Sequence, residues 1–573
     1  MVDGSGPPAR FPELYAFANV PGETMTEAHV RRLLEVYDDE GACAATLLCG
    51  RHPAEAVAFT VVEADLTSHE LTYGELREQS ERFAGALLGL GVGPGDRVAT
   101  LMGKSAELVV ALLAIWRLGA VHVPLFTAFA PPAIALRVTG NDTKVVIVDA
   151  GQRSKLTPSA DLPDDPARRI VVVGDGEAGD LSFREMLADA APLPGAAATG
   201  GSGVLVELFT SGTTGTPKAV PIPLRALAGF QAYQDFALDV RADDVFWNAA
   251  DPGWAYGLYY AIMTPMATGR RSLLLHAGFS AELTWAVLER FGVTNFAAAP
   301  TVYRALRNSA APVPDGLRLR HCSSAGEPLT PDVLEWASAK LGVGVYDHYG
   351  QTELGMVVGN AWHPDLRSEV KPGSMGRVLP GFAVEVLRED ADVVAEPGER
   401  GRVAVDLLAS PLVWFRGYRD APERTAARFS PDGRWYYTGD VAAKDTDGYL
   451  TFASRDDDVI LMAGYRIGPF DVESVLQQHS AVAECAVVGV PDALRGEVVV
   501  AYVVARDGVS ADTELVAELQ QLVKTRFAAH AYPREVHFVP ELPKTPSGKI
   551  QRFLLRERHA TDRSARSRPA ATA

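Results

Sequence analysis

The stretch LFTSGTTGTPKAV, from Leu208 to Val220, decides how the rest of this chain is interpreted. Ten of its thirteen residues are Gly, Ser, Thr, Pro, Lys or Ala, which build little core, yet the strand-like run VLVEL leads into it. Successive Gly and Thr residues let backbone N–H groups turn toward one point, where the hydroxyls and the Lys218 ammonium add donors and charge. Such a loop can hold a chain of phosphates, and the alternative is a flexible surface loop.

Two other phosphate-binding patterns can be weighed against this one. A Walker A loop has Gly directly before its Lys, whereas Pro217 precedes Lys218 here. The segment RIVVVGDGEAGDLSFREML contains the GxGxxG pattern of a dinucleotide site, but Asp175, Glu177 and Asp180 would repel a pyrophosphate. We therefore interpret it as a solvated turn in which Asp180 or Ser182 caps the next helix.

The bulk composition limits the classes of function. A chain of 573 residues exceeds one core, and its net charge of -18 argues against broad binding to nucleic acids or anionic membranes. The four cysteines form no CxxC pair and no His cluster accompanies them, so we expect neither a disulfide framework nor a zinc site. No signal or transit pattern is evident, and the apolar run LVVALLAIW is too short to span a bilayer. We expect a cytoplasmic protein without a membrane span.

The order of helix and strand patterns predicts a multidomain α/β protein. Residues 71–150 alternate between the two periods, which is typical of parallel sheets covered by helices. Residues 375–453 read as short antiparallel strands, and a smaller unit of helix, strand, helix and strand follows. We predict a large N-terminal domain of parallel α/β sheets plus a β-rich subdomain, with a small mobile α+β C-terminal domain. The predicted boundaries are an N-terminal extension (1–54), the large domain (55–454), the C-terminal domain (455–557) and a polar, disordered tail (558–573).

Six segments, in order along the chain, resemble the signature motifs of the adenylate-forming superfamily, which includes acyl-CoA synthetases, peptide-synthetase adenylation domains and luciferases. GYRIGPFDVES and PDALRGEVVVAYVV look most like the short- and medium-chain acyl-CoA synthetase branch. The six segments are TSGTTGTPK (210–218), SSAGEPL (323–329), DHYGQTELG (347–355), YYTGD (436–440), SRDDDVILMAGYRIGPFDVES (454–474) and PKTPSGKIQR (543–552).

This resemblance implies an AMP-forming acid–thiol ligase that uses ATP, Mg2+ and CoA. A carboxylate would attack the α-phosphate of ATP, pyrophosphate would leave, and CoA would then take the acyl group from acyl-AMP. Two alternatives stay open: an adenylating ligase that passes an acyl group, possibly an aryl one, to a carrier protein or an amine, and an inactive binding protein with the same fold. The five intact residues Lys218, Glu353, Asp440, Arg455 and Lys549 argue against an inactive protein.

The resemblance also assigns the nucleotide site residue by residue. Glu353 would ligate Mg2+, Thr352 would contact the α-phosphate, Asp440 and Arg455 would hold the ribose, and Lys549 would act in adenylation. The loop that would bind the phosphates contains Thr210, Ser211, Gly212, Thr213, Thr214, Gly215 and Lys218. The adenine side would be lined by Gly326, Glu327, Pro328, Asp347, Tyr349, Gly350 and Gln351.

In this superfamily the C-terminal domain swings between two poses, one for each half-reaction. Asp457 falls at the hinge position. Lys549 lies in a P-x5-K context that resembles sites of regulatory acetylation, so a lysine acetyltransferase is an expected partner. The candidates for CoA binding are Ala463, Gly464, Tyr465, Arg466, Arg495 and Lys524.

The acyl substrate is inferred from the pocket position before QTE. Acetyl-specific relatives have a bulky Trp there, whereas this chain has Gly350, which predicts room for several carbons. We therefore expect a medium-chain or branched fatty acid, with aryl acids such as benzoate still open. The predicted pocket walls are Trp254, Ala255, Tyr256, Gly257, Ala298, Ser324 and Gly350.

Overall fold

The computed structural model describes residues 23–566 except 211–216, 456–457, 463–464, 493–494, 529 and 545–548, with backbone only at 465–466 and 563–566. The helices are α1 (Met25–Tyr37), α2 (Tyr73–Gly89), α3 (Ala106–Arg117), α4 (Pro131–Thr139), α5 (Phe183–Asp189), α6 (Ala226–Tyr233), α7 (Ala255–Gly257), α8 (Thr264–Thr268), α9 (Ala281–Arg290), α10 (Pro300–Asn308), α11 (Pro331–Lys340), α12 (Pro422–Ala426), α13 (Pro469–Leu476), α14 (Thr513–Arg526) and α15 (Arg552–Arg566). Short π or 3-10 segments cover Thr46–Gly50, Ala150–Leu156, Gln234–Leu238 and Leu258–Met263.

The strands fall into four sheets. They are β1 (Val57–Glu63), β2 (Ser68–Thr72), β3 (Arg97–Leu101), β4 (Val121–Pro124), β5 (Thr143–Asp149), β6 (Arg169–Val173), β7 (Leu181–Ser182), β8 (Val204–Thr210), β9 (Lys218–Pro223), β10 (Phe246–Asn248), β11 (Ser272–His276), β12 (Asn295–Ala298), β13 (His321–Ala325), β14 (Val345–Gln351), β15 (Gly355–Gly359), β16 (Arg377–Val378), β17 (Val384–Leu387), β18 (Arg400–Asp406), β19 (Trp435–Lys444), β20 (Leu450–Arg455), β21 (Ile460–Met462), β22 (Tyr465–Ile467), β23 (Val482–Asp492), β24 (Gly496–Ala505) and β25 (Glu535–Phe538).

Two mainly parallel sheets form the large domain, as predicted. One has the order β16-β15-β14-β13-β12-β10-β11-β1-β2, and the other has the order β7-β6-β5-β3-β4-β8-β9. Parallel strands covered on both faces are mainly apolar, as the buried run VVIV in β5 illustrates. The helix α3 is buried from Leu108 to Arg117, and the Ser105 hydroxyl caps its N-terminus. No helix in the described part of the chain is long and apolar enough to cross a membrane.

The β-rich region and the start of the chain attach to this core. Strands β17-β18-β19-β20 form an antiparallel sheet, which confirms the pattern read from residues 375–453. The helix α1, in the predicted N-terminal extension, packs against α6 and buries Val30, Leu33 and Tyr37 in the largest core cluster.

The glycine-rich segment after β6 is a turn, as predicted. Of the two predicted caps, Ser182 is the one that accepts the N–H of Glu185, at 3.3 Å, at the start of α5. Asp180 instead binds the Arg153 guanidinium through two hydrogen bonds of 2.8 and 2.9 Å.

The C-terminal unit has its own core but a different element order from the one predicted. A hairpin of β21 and β22 precedes α13, and β23 pairs directly with β24 before α14. The prediction of alternating helix and strand missed the direct pairing of β23 with β24. Both strands are largely apolar, so no hydrophobic period marks the boundary between them. Val487, Val499 and Leu519 are fully buried in this second core.

The predicted disordered tail from residue 558 is wrong as far as residue 566, because α15 continues to Arg566. Leu555 and His559 are buried, and the Tyr502 hydroxyl donates to the Leu555 carbonyl at 3.2 Å. A helix that packs along one narrow face needs few apolar residues, so its composition resembles that of a disordered segment. Residues 567–573 lie outside the described residues.

Candidate active site

The described ends of the opening stretch lie on β8 and β9, at one end of the second sheet. β8 and β9 pair antiparallel, with Thr210 opposite Lys218. This register brings Lys218 beside the end of β8. The predicted loop residues Ser211, Gly212, Thr213, Thr214 and Gly215 lie outside the described residues, so their roles remain predictions.

Cations gather beside Lys218. Its Nζ atom lies 4.9 Å from the centre of the Tyr418 ring. Burial lowers the pKa of the Lys218 ammonium, and the nearby positive charges of Arg428 and Arg424 lower it further. The Arg428 guanidinium lies directly against Gly439, where a Cβ would be 2.6 Å from Arg428 Nη1, so this position needs glycine. The protein therefore concentrates positive charge where the sequence predicts phosphates.

Glu353 lies next to these cations and is held in place. The Tyr418 hydroxyl donates to Glu353 Oε1 at 2.8 Å, and the Glu353 residue is only 7% exposed. The neighbouring Thr352 carbonyl accepts the Tyr259 hydroxyl at 3.2 Å, which anchors the turn after β14. A buried carboxylate oriented by a phenol fits a hard cation such as Mg2+, which takes oxygen ligands.

The predicted ribose residues meet across two neighbouring strands. Asp440 in β19 pairs in register with Arg455 in β20, and Asp440 Oδ1 lies 3.9 Å from Arg455 Nη1. The other oxygen, Oδ2, accepts the Tyr349 hydroxyl at 2.6 Å and the Gln351 amide at 2.7 Å. Tyr349 and Gln351 thus orient the carboxylate that the resemblance assigns to the ribose hydroxyls.

The predicted adenine wall follows β13. Gly326 has φ of 105°, a conformation that favours glycine. Two donors hold the Glu327 carboxylate at 2.8 Å, the Thr301 hydroxyl and the Arg304 guanidinium, so this side chain braces the loop that also contains Pro328. Asp347 in β14 is 9% exposed.

Burial raises the pKa of Asp347 to about 8, against the opposing effect of the His348 N–H, which donates to its carboxylate at 3.1 Å. Asp347 is therefore mainly a neutral carboxyl group at pH 7. A neutral carboxyl group both donates and accepts a hydrogen bond, which suits a purine edge.

Lys549 brings the C-terminal unit to this site. The residue keeps solvent contact, yet the surrounding protein and the Arg455 charge lower the pKa of its ammonium. The carboxylates of Glu327, Asp440 and Glu353 act in the opposite direction, so all three lie within electrostatic reach of Lys549. The structure therefore joins a residue from the end of the chain to the predicted nucleotide residues of the large domain.

The predicted acyl walls gather at the carboxyl ends of the parallel strands. Ala298 in β12 and Ser324 in β13 are register partners. Asn248, at the end of β10, donates its side-chain amide to the Tyr256 carbonyl at 3.3 Å. The Ser324 hydroxyl is buried without a hydrogen-bond partner among the described residues. Ligand sites in α/β folds form at this edge of the sheet.

Aromatic rings close one side of that wall. Trp254 packs against Phe126 and Phe129, with ring centres 5.7 and 5.6 Å apart. Ala255 stands beside it at the start of α7.

Gly350 does not open the pocket in the predicted way. A Cβ at Gly350 would lie 2.1 Å from the Gly355 carbonyl oxygen and 2.7 Å from the Met356 Cα. The paired backbone of β15 fills that direction, so the argument that a missing indole leaves room is wrong here. Gly257 is similar, because a Cβ there would lie 2.2 Å from the Asp251 carbonyl oxygen. Both glycines serve close backbone packing.

Comparison with known proteins places these features in a family. The AMP-binding enzyme family matches residues 48–418, and the AMP-binding enzyme C-terminal domain matches residues 471–549. The chain belongs to the AMP-binding enzyme family. An acyl-coenzyme A synthetase of Rattus norvegicus, ACSM3, mitochondrial, is 35% identical over 515 residues, which cover 88% of this chain and 87% of the relative.

Two solved structures extend the comparison. The acyl-CoA synthetase of Brucella canis has 43% identity and a TM-score of 0.71, with 94% of this chain and 97% of that chain covered. A benzoate CoA ligase from Burkholderia xenovorans LB400 has 31% identity and a TM-score of 0.79, with 90% and 99% covered. The predicted class is confirmed: this AMP-binding enzyme is an AMP-forming acid–CoA ligase that uses ATP, Mg2+ and CoA.

The predicted hinge and CoA residues of this AMP-binding enzyme remain predictions. Asp457, Ala463 and Gly464 lie outside the described residues. Tyr465 and Arg466 are described in backbone only, as part of β22.

The two remaining CoA candidates lie on the C-terminal unit. Arg495 is exposed, and its N–H donates to Asp492 Oδ1 at 2.9 Å. Lys524 has its Nζ atom 4.0 Å from the Tyr532 ring, which Arg534 also contacts at 3.8 Å. No described contact ties either residue to the nucleotide site.

Several site residues of this AMP-binding enzyme were missed by sequence reasoning. Arg424 and Arg428 stand outside the recognised motifs, and their only signal is that they lie four residues apart, with Arg424 inside α12 and Arg428 two residues after its end. Tyr418 is likewise outside any motif.

A buried hydrogen-bond chain beside the acyl wall was also missed. His348 Nε2 lies 3.0 Å from the Asn360 carbonyl, so this nitrogen carries the proton. Burial lowers the pKa of His348 to about 4, so the ring is neutral and Nδ1 accepts the Tyr233 hydroxyl at 2.7 Å. Tyr256 lies 3.0 Å from Tyr233 and must therefore donate to it.

Proposed function

We propose that this ligase activates a medium-chain or branched monocarboxylate, with Lys549 as the residue that completes the adenylation site. The observation that carries the proposal is the position of the C-terminal unit: Arg400 of the large domain binds its Asp471 at 2.9 Å, and Lys549 lies within electrostatic reach of Glu327, Asp440 and Glu353. This is the arrangement expected of the adenylation pose, because the C-terminal unit contributes its one signature lysine to the nucleotide residues.

The chemistry follows from charge. A carboxylate must approach an anionic phosphate, so the barrier is largely electrostatic and positional. Lys218, Arg424, Arg428, Arg455 and Lys549 form a cation group that would offset this repulsion. Mg2+ held by Glu353 would neutralise further phosphate charge. Asp440, oriented by Tyr349 and Gln351, would hold the ribose so that the α-phosphate faces the carboxylate.

The acyl wall supports an apolar tail of several carbons. Ala255 and Ala298 are small, and Trp254, Phe126 and Phe129 supply an apolar surface. The Tyr256 hydroxyl donates to Tyr233, so its ring can face the tail while its polar end stays satisfied. An aryl acid is the second candidate, favoured by the similarity to a benzoate CoA ligase.

The test is a panel of acids from acetate to dodecanoate, with benzoate and amino acids, incubated with ATP, Mg2+ and CoA. Acyl-CoA and AMP are measured by mass spectrometry. We expect the highest kcat/KM between four and ten carbons. Each methylene that the pocket accommodates should contribute on the order of one to three kcal/mol to transition-state binding. A maximum at acetate or benzoate would contradict the proposed tail. Pyrophosphate release without any acyl-CoA would point to a carrier protein or amine as acceptor.

A pair of variants tests Tyr256 as a wall of this pocket. Tyr256→Ala removes the ring, so we expect the preferred chain to lengthen and kcat/KM for the original best acid to fall about tenfold. Tyr256→Phe keeps the ring and serves as the matched control, with the preferred length unchanged. The same length preference in both variants and the wild type would remove Tyr256 from the wall.

Two further expectations belong to the proposal. Acetylation of Lys549 by a lysine acetyltransferase would remove the charge needed for adenylation. Protein acetylated at Lys549 should therefore lose acyl-AMP formation and regain it after deacetylation; full activity of the acetylated form would contradict the idea.

We also propose a cytoplasmic location. The four cysteines, Cys43, Cys49, Cys322 and Cys485, are free thiols in the structure, which suits a reducing compartment. Fractionation of cells that express the native chain tests this, and recovery in an organelle or membrane fraction would contradict it.

A further inference from the structure

The C-terminal unit carries a cluster of metal-ligating groups that the ligase chemistry does not use. Glu535, His537 and His559 place one carboxylate oxygen and two imidazole nitrogens within 4.8 Å of one another. Two imidazoles and a carboxylate are the ligand set of many zinc and non-haem iron sites.

The fold brings these groups together from two elements. Glu535 and His537 are two residues apart on β25, so their side chains leave the same face of the strand. His559 lies on α15, with its ring centre 5.7 Å from that of His537. The cluster therefore bridges the edge strand of the C-terminal sheet and the last helix.

A tyrosine on the neighbouring strand β24 contacts the cluster. Tyr502 in β24 is the register partner of His537 and stacks on its imidazole, with ring centres 5.2 Å apart. The same Tyr502 hydroxyl donates to the Leu555 carbonyl in α15 at 3.2 Å. One residue thus steers both the strand ligand and the helix that carries the other imidazole, as supporting shells of metal sites do.

The burial of the three residues leaves one open side. His559 is only 7% exposed, whereas the side chains of His537 and Glu535 are 30% and 44% exposed. An ion could enter from solvent and keep water in its remaining positions. His537 Nε2 lies 3.0 Å from Glu535 Oε2, so a bound ion would take the place of the proton that now joins these two atoms.

We propose that Glu535, His537 and His559 bind one divalent transition-metal ion of the Zn2+ type, with water completing its coordination. Imidazole ligands favour such ions over Mg2+, which prefers oxygen and belongs with the phosphates. The bound ion would cross-link α15 to β25. Because α15 begins three residues after Lys549, this cross-link would stiffen the segment that follows the adenylation lysine. This site is independent of the proposed substrate.

The test uses the full chain after treatment with a chelator. Zn2+ alone is titrated by calorimetry, and Co2+ is added separately so that its visible absorption reports the ligand field. We expect one equivalent of Zn2+ in the wild type, with Co2+ bands of low coordination number. His537→Gln and Glu535→Gln should each weaken binding by at least about tenfold, since each removes a direct ligand.

A matched control is His479→Gln. His479 pairs with Glu518 at 3.3 Å on the same unit, and no third metal-ligating group joins that pair among the described residues. This variant should bind Zn2+ like the wild type. Zn2+ should also raise the Tm of the wild type and of His479→Gln but not that of His537→Gln.

Two results would overturn the proposal: no Zn2+ binding at micromolar concentrations, or equal binding by the wild type, His537→Gln and Glu535→Gln. His559→Gln should also lose binding. Because His559 is buried and its variant can fail to fold, the two half-exposed ligands decide the outcome on their own.

Discussion

At the scale of single residues, charge placement governs this enzyme. Lys218 and Lys549 are ammonium groups whose pKa values are lowered by the surrounding protein and by neighbouring arginines. These cations repel one another in the free enzyme, and the anionic phosphates of the bound substrate would offset that repulsion. Preorganised charge of this kind lowers a barrier without reorganisation during the reaction.

Lys549 should act in only one half-reaction. Lys549→Ala removes the cation that meets the α-phosphate and the carboxylate, so acyl-AMP formation should fall about 100-fold or more. Thioester formation from supplied acyl-AMP should stay near the wild-type rate. Lys544→Ala is the matched control, since Lys544 pairs with Glu484 at 2.7 Å in the same segment. Equal loss of both half-reactions would refute the assigned role.

Asp347 should make stability depend on pH. Burial raises its folded pKa to about 8, above the ordinary value of 3.8, so the folded state keeps a proton that the unfolded state releases. The Asp347 carboxyl therefore lowers stability progressively as pH rises from about 4 to about 8. Asp347→Asn cannot ionise, so its Tm relative to the wild type should increase across that window.

Asp180 provides a control of opposite sign. Burial opposes ionisation there, but Arg153 and the Glu177 N–H outweigh it and lower the net pKa of Asp180. Asp180→Asn should therefore cost stability at neutral pH, and the loss should shrink as pH falls through the lowered pKa. A flat Tm difference between pH 4 and 8 for Asp347→Asn would contradict the buried neutral carboxyl.

At the scale of elements, the junction between α13 and α15 stabilises the C-terminal unit. The Glu473 carboxylate accepts two hydrogen bonds from Arg552 Nη2, at 2.7 and 2.8 Å, and the Val487 N–H at 2.8 Å. Glu473 is 5% exposed, so these bonds are largely shielded from water. They tie the first turn of α15 to α13 and β23.

Breaking this junction should destabilise the unit. Glu473→Gln removes the hydrogen-bonded carboxylate from Arg552 and leaves only the longer contact with Asp458, at 3.6 Å, at an expected cost of about 2–3 kcal/mol. Glu484→Gln breaks the half-exposed pair with Lys544 and should cost under about 1 kcal/mol. Urea unfolding followed by circular dichroism measures both. Similar losses for the two variants would show that the Glu473 junction contributes no more than a surface pair.

At the scale of the whole molecule, contacts between the large domain and the C-terminal unit define the observed pose. Arg400 in β18 binds Asp471 in α13 at 2.9 Å, and Arg506 binds Asn308 at the end of α10 at 3.2 Å. These contacts accompany the approach of Lys549 to the nucleotide residues. A swing of the C-terminal unit would have to break them.

Locking this pose should separate the half-reactions. Cysteines at Asn308 and Arg506, in a Cys43→Ser background, would be joined by a flexible bismaleimide. We expect the cross-linked protein to form acyl-AMP near the wild-type rate and to lose thioester formation at least about tenfold, because the second pose is blocked. The same variant treated with a monomaleimide is the control. Unchanged thioester formation after cross-linking would contradict the two-pose mechanism.

Prediction from sequence worked where a local pattern carries its own meaning. The cap at Ser182, the turn after β6 and the antiparallel strands within residues 375–453 follow from short segments. Prediction failed where the result depends on the direction of a side chain or on contacts with distant segments. A Cβ on Gly350 would run into the backbone of β15, beside an irregular register between β14 and β15. Tyr418, Arg428 and Tyr233 reach the site from segments that carry no motif.

The sequence by itself determined the family, the reaction class and the positions of the signature residues along the chain. Each motif is a short contiguous segment, so it can be recognised without knowing which distant residues it contacts. The tertiary structure alone decided the partners of those residues: Tyr418 on Glu353, the cation group around Lys218, the neutral Asp347, and α15 continuing to Arg566. These depend on burial and on contacts between distant segments, and local periodicity carries no information about either.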